Sequence, residues 1–268
     1  MASDDRATGA PAWAVRREGQ AAARHHVKVV ESAARYKIAI NAHEPIKDSG
    51  LRRTYPNMIS REGARGMEYN AWAVPKNPPE HEVNLVFTRM LSGPMDYTPG
   101  VLSLRGRGDT PIPSTLARQL ALYVVLYSPI QMAADLPENY DKHLDAFQFI
   151  KDVAVDWDDS RVLSADMGNH VIMVRKERGK DAWYLGAISD EQARNATIKL
   201  DFLTPGQTYT AEIYRDGPDA HFEKNQFAIV IERKTVTAVD NMAINIAPGG
   251  GQAIRFFPVS AAKSKARK

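Results

Sequence analysis

The chain contains no cysteine, which removes disulfides and cysteine–zinc sites and leaves the redox compartment open. No apolar run approaches the roughly 20 residues that a membrane-spanning helix needs. The opening MASDDRATGAPAW has an early acidic pair and no apolar core, so it does not read as a signal peptide, and the chain as written reads as cytoplasmic. Net charge is scarce too. Of the formal +3, four positive charges (Lys263, Lys265, Arg267 and Lys268) fall in the last six residues, and without them the remainder carries −1. Residues 261–268 read as a solvated, disordered basic tail. No basic–aromatic interleaving accompanies it, so neither nucleic acid nor a membrane is an expected partner.

What the chain does have is apolar mass: 44% of its 268 residues are hydrophobic, and that length suits one large domain or two medium ones. Residues 1–12 read as a frayed entry. From about 13 to 35, Val15, Ala22, Val29, Val30 and Ala33 form a rough helical stripe. Residues 36–42 read as a short buried strand, and 44–80 as a long connection rich in Pro, Gly, Asn and Arg. Residues 83–91 are apolar, and GPMDYTPG (93–100) reads as a strand end opening into a loop. TLARQLALYVVLY (115–127) is apolar on nearly every side and reads as a buried helix capped by Ser114 or Thr115. A further helix is predicted over 144–155.

Near Trp157 the pattern changes. Seven short runs follow with turn signals between them: HVIMVRKE, AWYLGAIS, ATIKLDF, YTAEIYRD, FAIVIER, MAINIAP and GQAIRFFPV. Runs at that spacing predict an antiparallel sandwich. The fold expected is therefore α/β then β: the C-terminal part of a (β/α)8 barrel over 1–157, a β-sandwich over 158–260 and the tail. A whole barrel takes about 250 residues and eight strands, and the first part shows only about three strand signals.

The chemistry gathers at the end of the first predicted strand. Glu44 follows His43, and Glu62 and Glu68 follow within 24 residues. Three carboxylates brought together repel unless a hard cation or a shared proton offsets them. Plain readings stand beside this. Glu44 could be a solvated loop residue, Glu62 and Glu68 could pair with Arg61 and Arg65, and His43 could be a satisfied buried histidine. Asp96 could buffer Arg89 or a neighbouring loop, while Tyr55, Tyr69 and Trp72 could serve packing or a sugar platform.

The motifs HEPIK (43–47), GLRRTYPN (50–57), REGARGMEYN (61–70), FTRMLSGPMDYTPG (87–100) and FQFIKD (147–152) resemble glycoside hydrolase family 97. The likeness runs through most of residues 25–260. It implies an N-terminal β-super-sandwich, a central (β/α)8 barrel and a C-terminal β-sandwich. It implies exo-acting, calcium-dependent α-glucosidases or α-galactosidases, commonly periplasmic, acting on oligosaccharides. By resemblance Glu44 is the general base and a Ca²⁺ ligand, Glu62 a further Ca²⁺ ligand, and Glu68 the general acid and a third metal-site residue. His43 and Lys47 become candidate sugar-binding residues. The His43-Glu44 pair points to the inverting α-glucosidase branch. The stretches that supply another ligand and a second basic glutamate have no counterpart here. The alternatives are therefore a truncated, inactive member, a chain completed by a partner that supplies the missing half, or a carbohydrate-binding module in the sandwich.

Overall fold

The computed structural model describes residues 19–259. The predicted frayed entry, the first turns of the predicted helix and the basic tail lie outside the described residues. Helix α1 (Gln20–Arg35) ends at the residue where the helical stripe was expected to end. The N–H groups of Tyr36 and Ile38 both bond back to Ala33, and Lys37 takes a positive φ of 58°. Residues 36–38 therefore close the helix and cannot extend a strand. Only Ile40–Ala42 forms β1, half-buried rather than buried as expected, and Tyr36 and Ile38 lie exposed.

The predicted long connection resolves into short elements: α2 (Leu51–Thr54), β2 (Met58–Arg61) and α3 (Met67–Trp72). β2 runs parallel to β1, with Asn41 opposite Ser60 and Ala42 opposite Arg61. Residues 95–96 lie along the next position. The N–H of Asp96 donates to Arg61 O, and that of Met95 to Tyr127 O, each at 3.0 Å. The order 40–42, 58–61, 95–96, 127 is that of successive segments in a partial parallel barrel.

The apolar residues 83–91 lie in α4 (Pro79–Phe87) and a 3-10 turn, Arg89–Ser92. Pro79 suits the first helical turn because its missing N–H would be unpaired there anyway, and Glu80 and Glu82 favour the positive helix end. Helix α5 (Leu116–Val125) is buried at every position, and its cap, Thr115, accepts the Arg118 N–H at 3.2 Å. Two further helices follow, α6 (Pro137–Tyr140) and α7 (Leu144–Asp152), and Phe149 of α7 is buried.

The second part has eight strands: β3 (Trp157–Asp166), β4 (His170–Glu177), β5 (Trp183–Ser189), β6 (Arg194–Lys199), β7 (Tyr209–Asp216), β8 (Ile229–Val236), β9 (Asn241–Ile246) and β10 (Gly251–Pro258). Six make one antiparallel sheet in the order β3-β4-β5-β10-β7-β8, and β6 pairs with β9 separately. β3 escapes the sequence pattern because it is a largely exposed edge strand rich in Asp, Ser and Arg.

The large sheet is covered on both faces. In β4, Val171 and Met173 join the core that holds α5. Ile172 and Val174 join the core with Ile198, Met242, Ile244 and Ile246 of the β6–β9 pair. β5 is accordingly buried throughout, which is why AWYLGAIS reads as an unbroken apolar run. The helix lies close to the sheet at Gly186, where a Cβ would sit 2.8 Å from the carbonyl oxygen of Ala121. By chain order α5 belongs to the first part; by packing it belongs equally to the sheet of the second.

Candidate active site

Parallel strands present function at their carboxyl ends, where the connecting loops converge. His43 and Glu44 follow β1, Glu62 follows β2, and the Glu62 N–H continues the ladder onto Ala42 O at 2.8 Å. Glu44 holds a positive φ of 49°, a conformation that costs most non-glycine residues on the order of 1 kcal/mol. Its N–H donates to Oε2 of Glu62 at 3.3 Å. Glu68 sits in the first turn of α3, whose first N–H, from Met67, donates to Tyr97 O at 2.8 Å. Glu44, Glu62 and Glu68 share one hollow of about 730 Å³ with His43, Pro45, Arg65, Tyr69 and Trp72. The indole of Trp72 is 65% exposed and meets Tyr69 edge-on at 5.1 Å.

Asp96 holds this corner in place. It is buried, and its Oδ2 accepts Nδ2–H of Asn41 and lies 2.7 Å from Nε2 of His43. Burial pulls the His43 pKa down. The bond to Asp96 and the charges of Glu62, Asp96 and Glu68 outweigh it, so the net shift is upward. Protonated, His43 donates Nε2–H to Asp96 and places Nδ1 3.8 Å from Oε2 of Glu62. A second strained residue lies two positions beyond Asp96. Thr98 is β-branched and buried, yet has a φ of +56°, with its N–H on Asp96 Oδ1 at 3.3 Å. Backbone strain of this kind gathers where a site is held in a fixed geometry.

The ion pairings of the plain readings go to other partners. Arg61 pairs with Asp48 at 3.0 Å, not with Glu62, and Arg65 lies over the Tyr69 ring at 5.0 Å. Arg89 does not meet Asp96. Its guanidinium donates to the carbonyls of Arg61, Glu62, Gly93 and Pro94, fastening the loop behind the site. Burial, then the charge of Arg61, lowers the Arg89 pKa to about 10, which leaves it charged at neutral pH. Tyr55 is engaged with Glu31 and stands away from the hollow. Lys47 is exposed and is not among the lining residues.

Calcium finds no prepared cage. Among the described residues no group of three or more His, Asp or Glu side chains is placed to hold a metal ion. Glu62 already accepts the Glu44 N–H and faces His43. The glutamates are not gathered round one point, as oxygen ligation of the ion needs.

Carboxylates round a hollow at the ends of parallel strands, beside an exposed indole, are the parts a glycoside-cleaving enzyme needs. The comparisons agree. The family model described as "Glycoside hydrolase 97" matches residues 12–64, and "Glycosyl-hydrolase 97 C-terminal, oligomerisation" matches residues 156–257. A glycoside hydrolase family 97 enzyme from Pseudoalteromonas sp. strain K8, solved in complex with acarbose, is 53% identical with a TM-score of 0.87 over 91% of this chain and 38% of that one. A retaining alpha-galactosidase of Bacteroides thetaiotaomicron is 34% identical over 90% of this chain, and a probable retaining alpha-galactosidase of Streptomyces bingchenggensis is 29% identical over 87%. The chain belongs to glycoside hydrolase family 97 and carries the C-terminal portion of it. It spans 37% and 34% of the length of these two curated relatives.

Proposed function

We propose that the chain bears the water-activating and leaving-group side of an α-glucoside-hydrolysing centre that works with inversion. Glu44 takes a proton from water as its oxygen attacks the anomeric carbon. Glu68 gives a proton to the departing glycosidic oxygen as the C–O bond breaks. Inversion needs about 6.5–9.5 Å between the two carboxyl groups, so that the water fits. His43 and the Trp72 face supply a hydrogen bond and a flat apolar surface for the sugar ring. The observation that carries the reading is the single hollow shared by Glu44, Glu62 and Glu68. It is further supported by the similarity to a family member solved with acarbose, a glutamate-to-glutamine variant of which was solved with panose.

The second reading is retaining α-galactoside hydrolysis, the activity in the names of the two curated relatives. One experiment separates the two. The chain is offered p-nitrophenyl α-glucoside and α-galactoside, and the anomer first released is followed by proton NMR. β-Glucose supports inversion, and α-galactose supports the alternative. Hydrolysis of neither sugar, or hydrolysis untouched by Glu68→Gln, overturns the assigned roles.

A further inference from the structure

One tripeptide, Asp96-Tyr97-Thr98, governs both ends of the hollow. Asp96 fixes His43, the neighbour of Glu44. The carbonyl of Tyr97 accepts the N–H of Met67, the neighbour of Glu68, and also the hydroxyl of Thr98 at 2.6 Å. Gly66 makes that approach possible: a Cβ there would lie 3.2 Å from the same carbonyl oxygen and press α3 away.

The tripeptide is held in turn from the other side. Tyr97 is fully buried, and its hydroxyl donates to Oε1 of Glu82 in α4. Burial and the Glu82 charge push the Tyr97 pKa well above its usual range, so the group stays a donor. Oε2 of Glu82 accepts Nε–H of Arg118 in α5, and both side chains are almost wholly buried. Arg118 then donates to Pro79 O at 2.6 Å and to the carbonyls of Ser189 and Gly250. Ser189 ends β5 and Gly250 immediately precedes β10, the two central strands of the large sheet. Hydrogen bonds thus run without a break from the sheet to the tripeptide.

A buried ion pair is a poor way to add stability, since apolar side chains of equal volume often do as well or better. What the charges add is direction, because every donor and acceptor in the network is aimed. We infer that Tyr97, Glu82 and Arg118 are positioning residues through which the C-terminal sheet sets the placement of Glu44 and Glu68. This rests on the glucosidase reading for its purpose but not for its geometry.

The test compares the full chain with Tyr97→Phe, which removes one hydroxyl, and with the double variant Glu82→Leu/Arg118→Met. Amide resonances are recorded for each. The amides of Glu44 and Glu68, which touch none of the three side chains, should shift in both variants. Where the parent chain hydrolyses p-nitrophenyl α-glucoside, kcat should fall by about tenfold with KM changed by less than about twofold. Shifts confined to the direct partners of the three side chains, with kcat unchanged, would overturn the relay. If the double variant does not fold, Tyr97→Phe alone decides. If the parent chain cleaves no glucoside, the glucosidase reading fails by itself, and the amide shifts still judge the relay.

Discussion

Nε2 of His43 and Oδ2 of Asp96 stand 2.7 Å apart, although the residues are 53 positions apart in sequence. Asp96 is 1% exposed and also accepts from Asn41 and from the Thr98 N–H. Replacing it with Ala would leave those donors without an acceptor. Asp96→Ala should lose about 1–3 kcal/mol of stability by urea denaturation, with hydrolysis lost as well. Asp96→Asn, which keeps shape and an acceptor, should lose less stability.

Glu44 and Glu68 are exposed and support little packing. Glu44→Gln and Glu68→Gln should keep the parent melting temperature while cutting hydrolysis by about 10²-fold or more. Parent-like rates in either variant would remove it from the reaction. Glu44→Gly should go further in one respect. It relieves the left-handed backbone at φ +49°, so it should raise stability by up to about 1 kcal/mol while abolishing turnover.

Asp216 gives the fold its own pH dependence. Oδ1 accepts the Thr115 hydroxyl and Oδ2 the N–H groups of Ala247 and Gly251. Burial nevertheless dominates and raises the pKa to about 6 from 3.8. Between those values the folded chain keeps a proton that the unfolded chain has released. Stability contributed by this group is therefore largest below the unfolded value and falls as pH rises through the window, by about 2–3 kcal/mol in all. Asp216→Asn should flatten that slope in denaturation curves taken from about pH 4 to pH 7.

Calcium should bind weakly to this chain, because Glu62 is already engaged by Glu44 and faces His43. Calorimetric titration is expected to show no site tighter than about 10⁻⁴ M. Saturation at micromolar calcium, lost in Glu62→Gln, would mean that the glutamates rearrange into a cage on binding.

Much of the architecture was readable because burial leaves a strong mark on composition. Helix α5 is buried on all sides, so 115–127 shows almost no polar face, and its Thr115 cap follows from simple N-terminal chemistry. Strands β4 to β10 were visible as apolar or alternating runs. β3 was not, since an exposed edge strand lacks that alternation. The apolar content of 83–91 does not by itself separate a short helix from a strand; Pro79 with Glu80 and Glu82 is the signal that marks the helix start. At the site, the glutamates were legible as a motif. The hold of Asp96 on His43 and the grip of Arg89 on four carbonyls were not. Each joins segments that only the folded backbone brings together.

Helix α5 is wrapped on every side, with Gly186 letting it settle onto β5. Cutting the chain just ahead of Trp157 would therefore strip Val171, Met173, Tyr184 and Ile188 of their cover at one stroke. The β-rich half, expressed by itself, would emerge as a sticky plate that clumps. Any engineer wishing to transplant it should carry α5 along as an inseparable passenger.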